Sequence, residues 1–308
     1  MKRCPSAAKE AVSSVAWTAL SVAMVLSVIV AAQSRSVAFD GGRAYEDVRQ
    51  MVALGPRPAG SAALQQTRAY IAKQLAAAGL KAEEQPFDAD TPIGTIHMVN
   101  VRATLPGPAG RGRLVIAGHY DTKLFHEFPF VGANDGGSSA AFLLELARAL
   151  KGRQNLVPIE LLFLDGEEAT GEWQGTDHTY GSRYYAQQAR KNGTAKDIRA
   201  LILVDMIGDR DLDIRREANS TPWLTDAIWS AARRLKRSEF VEDTTTVEDD
   251  HLEFLEVGIP AVDIIDLDYS AWHRAEDRLD RVGAGSLQAV GDVLIAALPA
   301  IENRARTP

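Results

Sequence analysis

The chain has 308 residues, a formal net charge of −7, 46% hydrophobic residues and 24% charged residues, which suits one large domain or two small ones with a sizeable core. The mild acidity and the scattered Lys and Arg argue against a nucleic-acid partner. The single cysteine, Cys4, lies in the extreme N-terminal segment, so the folded part excludes disulfides, thiolate zinc fingers and a cysteine nucleophile.

Residues 1–33 read as a signal peptide or an N-terminal signal anchor. Lys2, Arg3 and Lys9 give a basic start, an apolar stretch follows over residues 15–32, and Val30-Ala31-Ala32 resembles a small-residue cleavage site. The stretch approaches the ~20 residues that a spanning helix needs. A membrane anchor is therefore the alternative to cleavage. Either outcome puts the remainder outside the cytoplasm, secreted, periplasmic or anchored. No second run reads as long enough to span a bilayer. Residues 34–43 read as a linker and residues 44–304 as one folded domain.

A helical apolar period covers residues 45–54 and stops at Gly55. The breaker cluster Gly55-Pro56-Arg57-Pro58-Ala59-Gly60 follows. Ser61 should cap a helix that reaches Ala78, with Gly79 as its stop. Strands are expected over residues 81–87 and 97–105, then a turn over 106–112, then a strand over 114–117 leading into His119. A helix over 140–150 follows Asp135-Gly136-Gly137, and the run 159–164 leads into Asp165-Gly166-Glu167-Glu168. Tyr180-Gly181-Ser182 opens another helix, and the run 201–204 leads into Asp205. A short strand over 211–215, an amphipathic helix over 221–235, a short helix after Asp249-Asp250-His251, a strand over 259–265 and a closing helix over 286–301 complete the order. Strands alternating with helices predict a single three-layer α/β/α domain with a mixed, mostly parallel central sheet.

Apolar runs bounded by turn residues read as strands buried on both faces. Their carboxyl ends are where open α/β sheets place active sites. Here those ends carry His119, Glu167, Glu168 and Asp205, with Asp135 and His273 in nearby loops. Converging carboxylates and imidazoles suit zinc. Each residue also has a plainer reading. Asp135 could simply cap the next helix, and Asp249 likewise. Glu167 and Glu168 could belong to a solvated loop, and His273 could be structural. A buried strand before Glu167-Glu168 favours a nearby cation, because an unpaired buried carboxylate is costly. The natural division gives Glu168 to a metal and leaves Glu167 free to carry protons.

The motifs Gly118-His119-Tyr120-Asp121-Thr122-Lys123, Phe130-Val131-Gly132-Ala133-Asn134-Asp135, Phe163-Leu164-Asp165-Gly166-Glu167-Glu168-Ala169, Tyr180-Gly181-Ser182-Arg183, Asp205-Met206-Ile207-Gly208, Glu248-Asp249-Asp250-His251 and Trp272-His273 occur in one order. Together with Trp173 they resemble the glutaminyl-peptide cyclotransferases, relatives of the zinc aminopeptidases of the MH clan, over residues 45–301. The resemblance implies a zinc aminopeptidase-like fold. It implies Asp135, Glu168 and His273 as zinc ligands and Glu167 as general acid/base. Asp205 and Asp249 would form a hydrogen-bond network with Glu167, and Trp173 and Trp272 would wall the pocket. The implied activity forms pyroglutamate from an N-terminal glutamine, on peptide or protein substrates with a free N-terminus. The alternative is an aminopeptidase, and a non-catalytic peptide-binding protein is the third reading.

Departures from the animal cyclases bear on these expectations. Asn134-Asp135-Gly136-Gly137 is closer to the aminopeptidases, Glu248 stands where the animal enzymes have Gln, and their cysteines are missing. His119 and Asp205 occupy positions that hold a second metal in two-zinc aminopeptidases. One zinc is expected, with two as the alternative. A cyclase should also have a small, closed cavity between Trp173 and Trp272.

Overall fold

Four largely apolar strands make the parallel part of the sheet. The computed structural model describes Met1 and residues 38–306. In it β3 (Arg113–His119), β4 (Ile159–Leu164), β5 (Ile198–Asp205) and β8 (Ala261–Ile265) lie in the order β4-β3-β5-β8, all parallel. The hairpin of β1 (Glu83–Thr91) and β2 (Gly94–Leu105) extends the sheet beyond β4 with antiparallel pairing. The six-stranded sheet is thus mixed, with three parallel and two antiparallel pairings.

Successive side chains of a strand point to opposite faces, and here both faces are apolar. Leu114, Ile116, Leu161, Phe163, Ile202 and Val204 pack in one core beneath α1 (Gly41–Val52), α2 (Ala62–Ala78), α3 (Gly137–Ala149), α5 (Pro222–Leu235) and α7 (Ala284–Ala305). Val115, Ala117, Leu162, Leu164, Leu201 and Leu203 pack on the other side with residues of α4 (Tyr180–Lys191) and α6 (His251–Glu256). The result is the three-layer α/β/α arrangement expected from the alternating elements. The polar residues of the candidate site lie at the strand ends, while Asp263 is a buried exception in the middle of β8.

Helix ends follow local chemistry. Ser61 Oγ accepts from Leu64 N–H at 3.1 Å, and Gly79 closes α2 at φ 86°, where glycine meets no Cβ penalty. Four expectations need correction. α1 begins at Gly41, capped by Asp40, and Phe39 is buried with its ring 5.0 Å from that of Phe142. The end of the supposed linker therefore belongs to the domain, anchored by an aromatic contact with no periodic signal. The short strand expected at 211–215 is β6 (Ile214–Glu217), paired in parallel with β7 (Phe240–Thr245). β7 escaped notice because only Phe240 in it is buried and four of its residues are polar or acidic. Finally, α7 is long and apolar enough to cross a membrane by length and composition. It packs instead on α1 and α5, and its apolar residues serve the core. Of the candidate signal or anchor, residues 2–33 lie outside the described residues.

Candidate metal centre and active site

The carboxyl ends of the parallel strands converge as the sequence pattern requires. His119 ends β3 and Asp205 ends β5, Glu167 and Glu168 follow β4, Asp135 precedes α3, and His273 lies in the loop after β8. Asp135, Glu168 and His273 offer ligand atoms that all lie within 4.8 Å of one another. His273 Nε2 is 3.3 Å from Glu168 Oε1 and 3.5 Å from Asp135 Oδ2. Ligands about 2.0–2.2 Å from a tetrahedral zinc are spaced by about 3.3–3.6 Å, so the separations suit that ion.

The hydrogen bonding suits it as well. Asp135 Oδ2 and Glu168 Oε2 are buried without a hydrogen-bond donor. Buried carboxylate oxygens seldom go unpaired, because desolvation costs more than an unmade bond returns. Without a cation, burial first and Glu168 second push the Asp135 carboxyl up to about 6. A divalent ion reverses that, since its charge favours the carboxylate form. The residues present therefore fit zinc. His273 takes up its position at φ 52°, and Met206 after Asp205 sits at φ 45°. Such left-handed backbone at non-glycine residues persists only where surroundings impose it. The His273 ring is wedged edge-on against Phe125 and Phe130 at 5.7 and 6.0 Å.

A second group, His119, Asp135 and Asp205, also falls within 4.8 Å. His119 Nε2 is 3.2 Å from Asp135 Oδ1 and 3.1 Å from Asp205 Oδ1. Here the oxygen is not orphaned, for Asp205 Oδ1 also accepts from Met206 N–H at 2.8 Å and Ser139 Oγ at 3.2 Å.

Glu167 is buried behind Glu168, and its carboxylate lies 3.8 Å from His119 Nδ1. Burial holds its pKa well above the usual carboxylate range; His119 pulls it down, and Glu168, Asp249 and Asp250 push it up again. Burial opposes the charge on His119 too, but Asp205 and Glu167 outweigh it and raise its pKa. Glu167 meets Asp205 through His119 and not directly. His119 stands between Glu167 and Asp205 with one ring nitrogen toward each. Asp249 acts on Glu167 through charge, and burial and Asp205 push its own pKa up.

Three residues around the centre carried no readable role in the sequence. Asp121 accepts from the N–H groups of Glu167 and Glu168 at 3.2 and 3.3 Å. Asp277 accepts from the N–H groups of Asn134 and Asp135 at 2.9 and 3.1 Å and from Tyr269 Oη at 2.7 Å. Arg57 is wholly buried and donates to the carbonyls of Tyr120 (3.0 Å), Gly132 (2.7 Å) and Val131. Gly136 permits the turn after Asp135: its φ is 73°, and a Cβ there would meet Asp121 O at 2.3 Å. Asp121 stands out in the sequence with His119-Tyr120 at a strand end, but its partners do not. Arg57 in a Gly/Pro cluster reads as a loop.

Arg57→Met should leave three buried carbonyls without their donor. Each unsatisfied buried group costs about 1–3 kcal/mol, so a fall of about 3 kcal/mol or more is expected in urea unfolding. An unchanged midpoint would show that the guanidinium does not brace this loop.

The centre opens into a cavity of about 570 Å³ whose lining includes Lys123, Glu167, Glu168, Trp173, Glu248, Asp249, Trp272 and His273. Trp173 stacks on His178 with ring centroids 4.3 Å apart and donates through Nε1 to Glu248 Oε2 at 3.1 Å. Trp272 stacks on His273 at 4.6 Å and is 44% exposed. Both indoles line the cavity, but it is neither small nor closed, contrary to expectation.

Residues 100–298 match peptidase family M28. The chain is similar to the glutaminyl-peptide cyclotransferase-like protein of Bos taurus, at 34% identity over 252 residues, covering 72% of this chain and 66% of the bovine protein. Among solved structures it resembles a glutaminyl cyclase of an Acidobacteriales bacterium, with TM-score 0.83, 41% identity and coverage of 89% of this chain and 98% of that one. A Zn-dependent exopeptidase of Parabacteroides distasonis also superimposes, with TM-score 0.79, 25% identity and coverage of 87% and 99%.

Proposed function

The chain belongs to the glutaminyl-peptide cyclotransferases of peptidase family M28, and from that membership we propose that it converts the N-terminal glutamine of peptides to pyroglutamate, releasing ammonia. The observation that carries the reading is a buried carboxylate, Glu167, beside the Asp135, Glu168 and His273 group at the floor of a cavity lined by two indoles.

Asp135, Glu168 and His273 hold zinc in this reading, and when bound zinc supplies Lewis acidity toward a carbonyl oxygen. The cavity walls hold a glutamine side chain curled toward its own α-amine. That placement replaces an encounter with an intramolecular attack and supplies much of the rate. As the amine nitrogen bonds to the γ-carbonyl carbon, Glu167 takes a proton from it. Glu167 then returns the proton to the amide nitrogen, and the carbon–nitrogen bond breaks to release ammonia. A carboxyl group with a raised pKa serves both halves of this cycle, since it must accept and donate near neutral pH. His119 and Asp249 set the charge around Glu167, while Asp121 fixes the loop that carries it.

The reading has one zinc ion. Asp205 Oδ1 already has two hydrogen-bond donors besides His119, whereas Asp135 Oδ2 and Glu168 Oε2 have none. One observation favours a second reading, aminopeptidase hydrolysis: His119, Asp135 and Asp205 are close enough to hold a further ion. The basic start and apolar stretch of the sequence support a location outside the cytoplasm, where peptides with free N-termini are the substrates.

Trp272→Ala tests the pocket. Its indole wall positions the side chain, so cyclisation of a Gln-peptide should fall by about 10- to 100-fold, with zinc content unchanged. Undiminished ammonia release by this variant would remove the indole from the substrate site.

A further inference from the structure

Glu248 is a carboxylate of the cavity lining that the proposed chemistry does not use. It sits at the rim of the cavity, not at its floor. Its side chain is 62% exposed. One oxygen is nevertheless held, Oε2 accepting from Trp173 Nε1 at 3.1 Å, while Oε1 lies 3.9 Å from His178 Nε2. Burial keeps the His178 imidazole below its usual pKa, so the ring does not neutralise Glu248 at neutral pH. A second exposed carboxylate, Glu172, lines the same cavity one residue before Trp173. Lys123 is the lysine or arginine in the lining, and its charge is committed inward. Its Nζ donates to Ala169 O at 3.0 Å, lies 3.9 Å from Glu168 Oε2, and the side chain is 13% exposed. The rim therefore presents two carboxylates without a free compensating cation among the lining residues.

A peptide whose first residue fills the cavity must pass this rim with its second residue. We propose that Glu248 and Glu172 are specificity-determining residues that favour peptides with Lys or Arg in the second position over those with Asp or Glu. The inference rests on the cyclase reading and adds to it the class of peptide taken. The mechanism is a field at the mouth. A basic side chain leaving the cavity gains attraction from both carboxylates, and an acidic one meets repulsion. The rim groups are solvated, so the gain is modest and falls as salt screens it. Holding Glu248 through Trp173 reduces the entropy lost when a partner binds. Selection by a like charge that repels the wrong partner is as effective as attraction of the right one.

The test compares three peptides that differ only in the second residue, Gln-Lys, Gln-Ala and Gln-Glu, each with the same neutral tail, on the zinc-loaded full chain. At low salt kcat/KM should fall in the order Lys, Ala, Glu, with a span of about three- to tenfold between the ends. The span should shrink in 0.5 M salt. In the double variant Glu172→Gln and Glu248→Gln it should fall to less than about half. The readout is a ratio measured on one preparation, so any general loss of activity from disturbing Trp173 cancels. Equal rates for the three peptides in the wild type, or a span unchanged in the double variant, would overturn the inference. Absence of ammonia release from all three peptides would instead overturn the cyclase reading on which it rests.

Discussion

Glu167→Gln should lower cyclisation by about 10²–10⁴-fold, the range a positioned acid/base contributes, while zinc stays bound. The amide keeps the shape of the side chain but cannot carry the proton from the attacking amine to the departing nitrogen. Glu167 also contributes no atom to the Asp135, Glu168 and His273 group, so metal content should not change. The loop should hold its place, because Asp121 binds the backbone N–H groups of residues 167 and 168 and not the side chain. Activity assays run beside metal analysis check this. Loss of zinc with Glu167→Gln and its retention with Glu168→Gln would show that the two adjacent carboxylates have exchanged roles.

The second large effect is expected at His273. His273→Ala removes the one imidazole from the three-residue group and leaves Asp135 and Glu168 facing each other without it. Replacing an outer partner of a metal ligand costs about 10–100-fold in affinity, and loss of a ligand itself should cost more. Zinc should stabilise the wild type against heat by linkage, by about 2.7 kcal/mol at a free concentration of 100 times Kd. That shift should vanish for His273→Ala at the same zinc concentration and persist for Glu167→Gln. A full zinc-dependent shift in His273→Ala would place the metal elsewhere.

The parts legible in the sequence share one physical cause. β3, β4 and β5 are buried on both faces, so each reads as an apolar run with a polar end. The residues at those ends could be listed before any coordinate was known. Helix limits such as Ser61 and Gly79 were legible because a cap is a local event. What stayed hidden depends on partners far apart in the chain. Asp277 binds the backbone of Asn134 and Asp135, 142 or 143 positions away, and Arg57 binds carbonyls 63 to 75 positions away. No periodicity records such contacts. His119 was visible as a strand-end residue, but its place between Glu167 and Asp205 follows from the packing of three strand ends. β7 has too little buried surface to leave a pattern. The exposure of Trp272 was likewise unreadable, because it depends on how distant loops pack around an indole.

The central claim is that the buried carboxylate next to the metal group serves cyclisation and not hydrolysis of a peptide bond. The same strand-end residues can in principle do either, so the products decide. Zinc-loaded protein should be given a Gln-peptide and, separately, a Leu-peptide of the same tail, and ammonia, pyroglutamyl peptide and free amino acids measured together. The account predicts one ammonia per pyroglutamyl peptide from the first and no free leucine from the second. Free glutamine and leucine without ammonia would contradict it and make the protein an aminopeptidase.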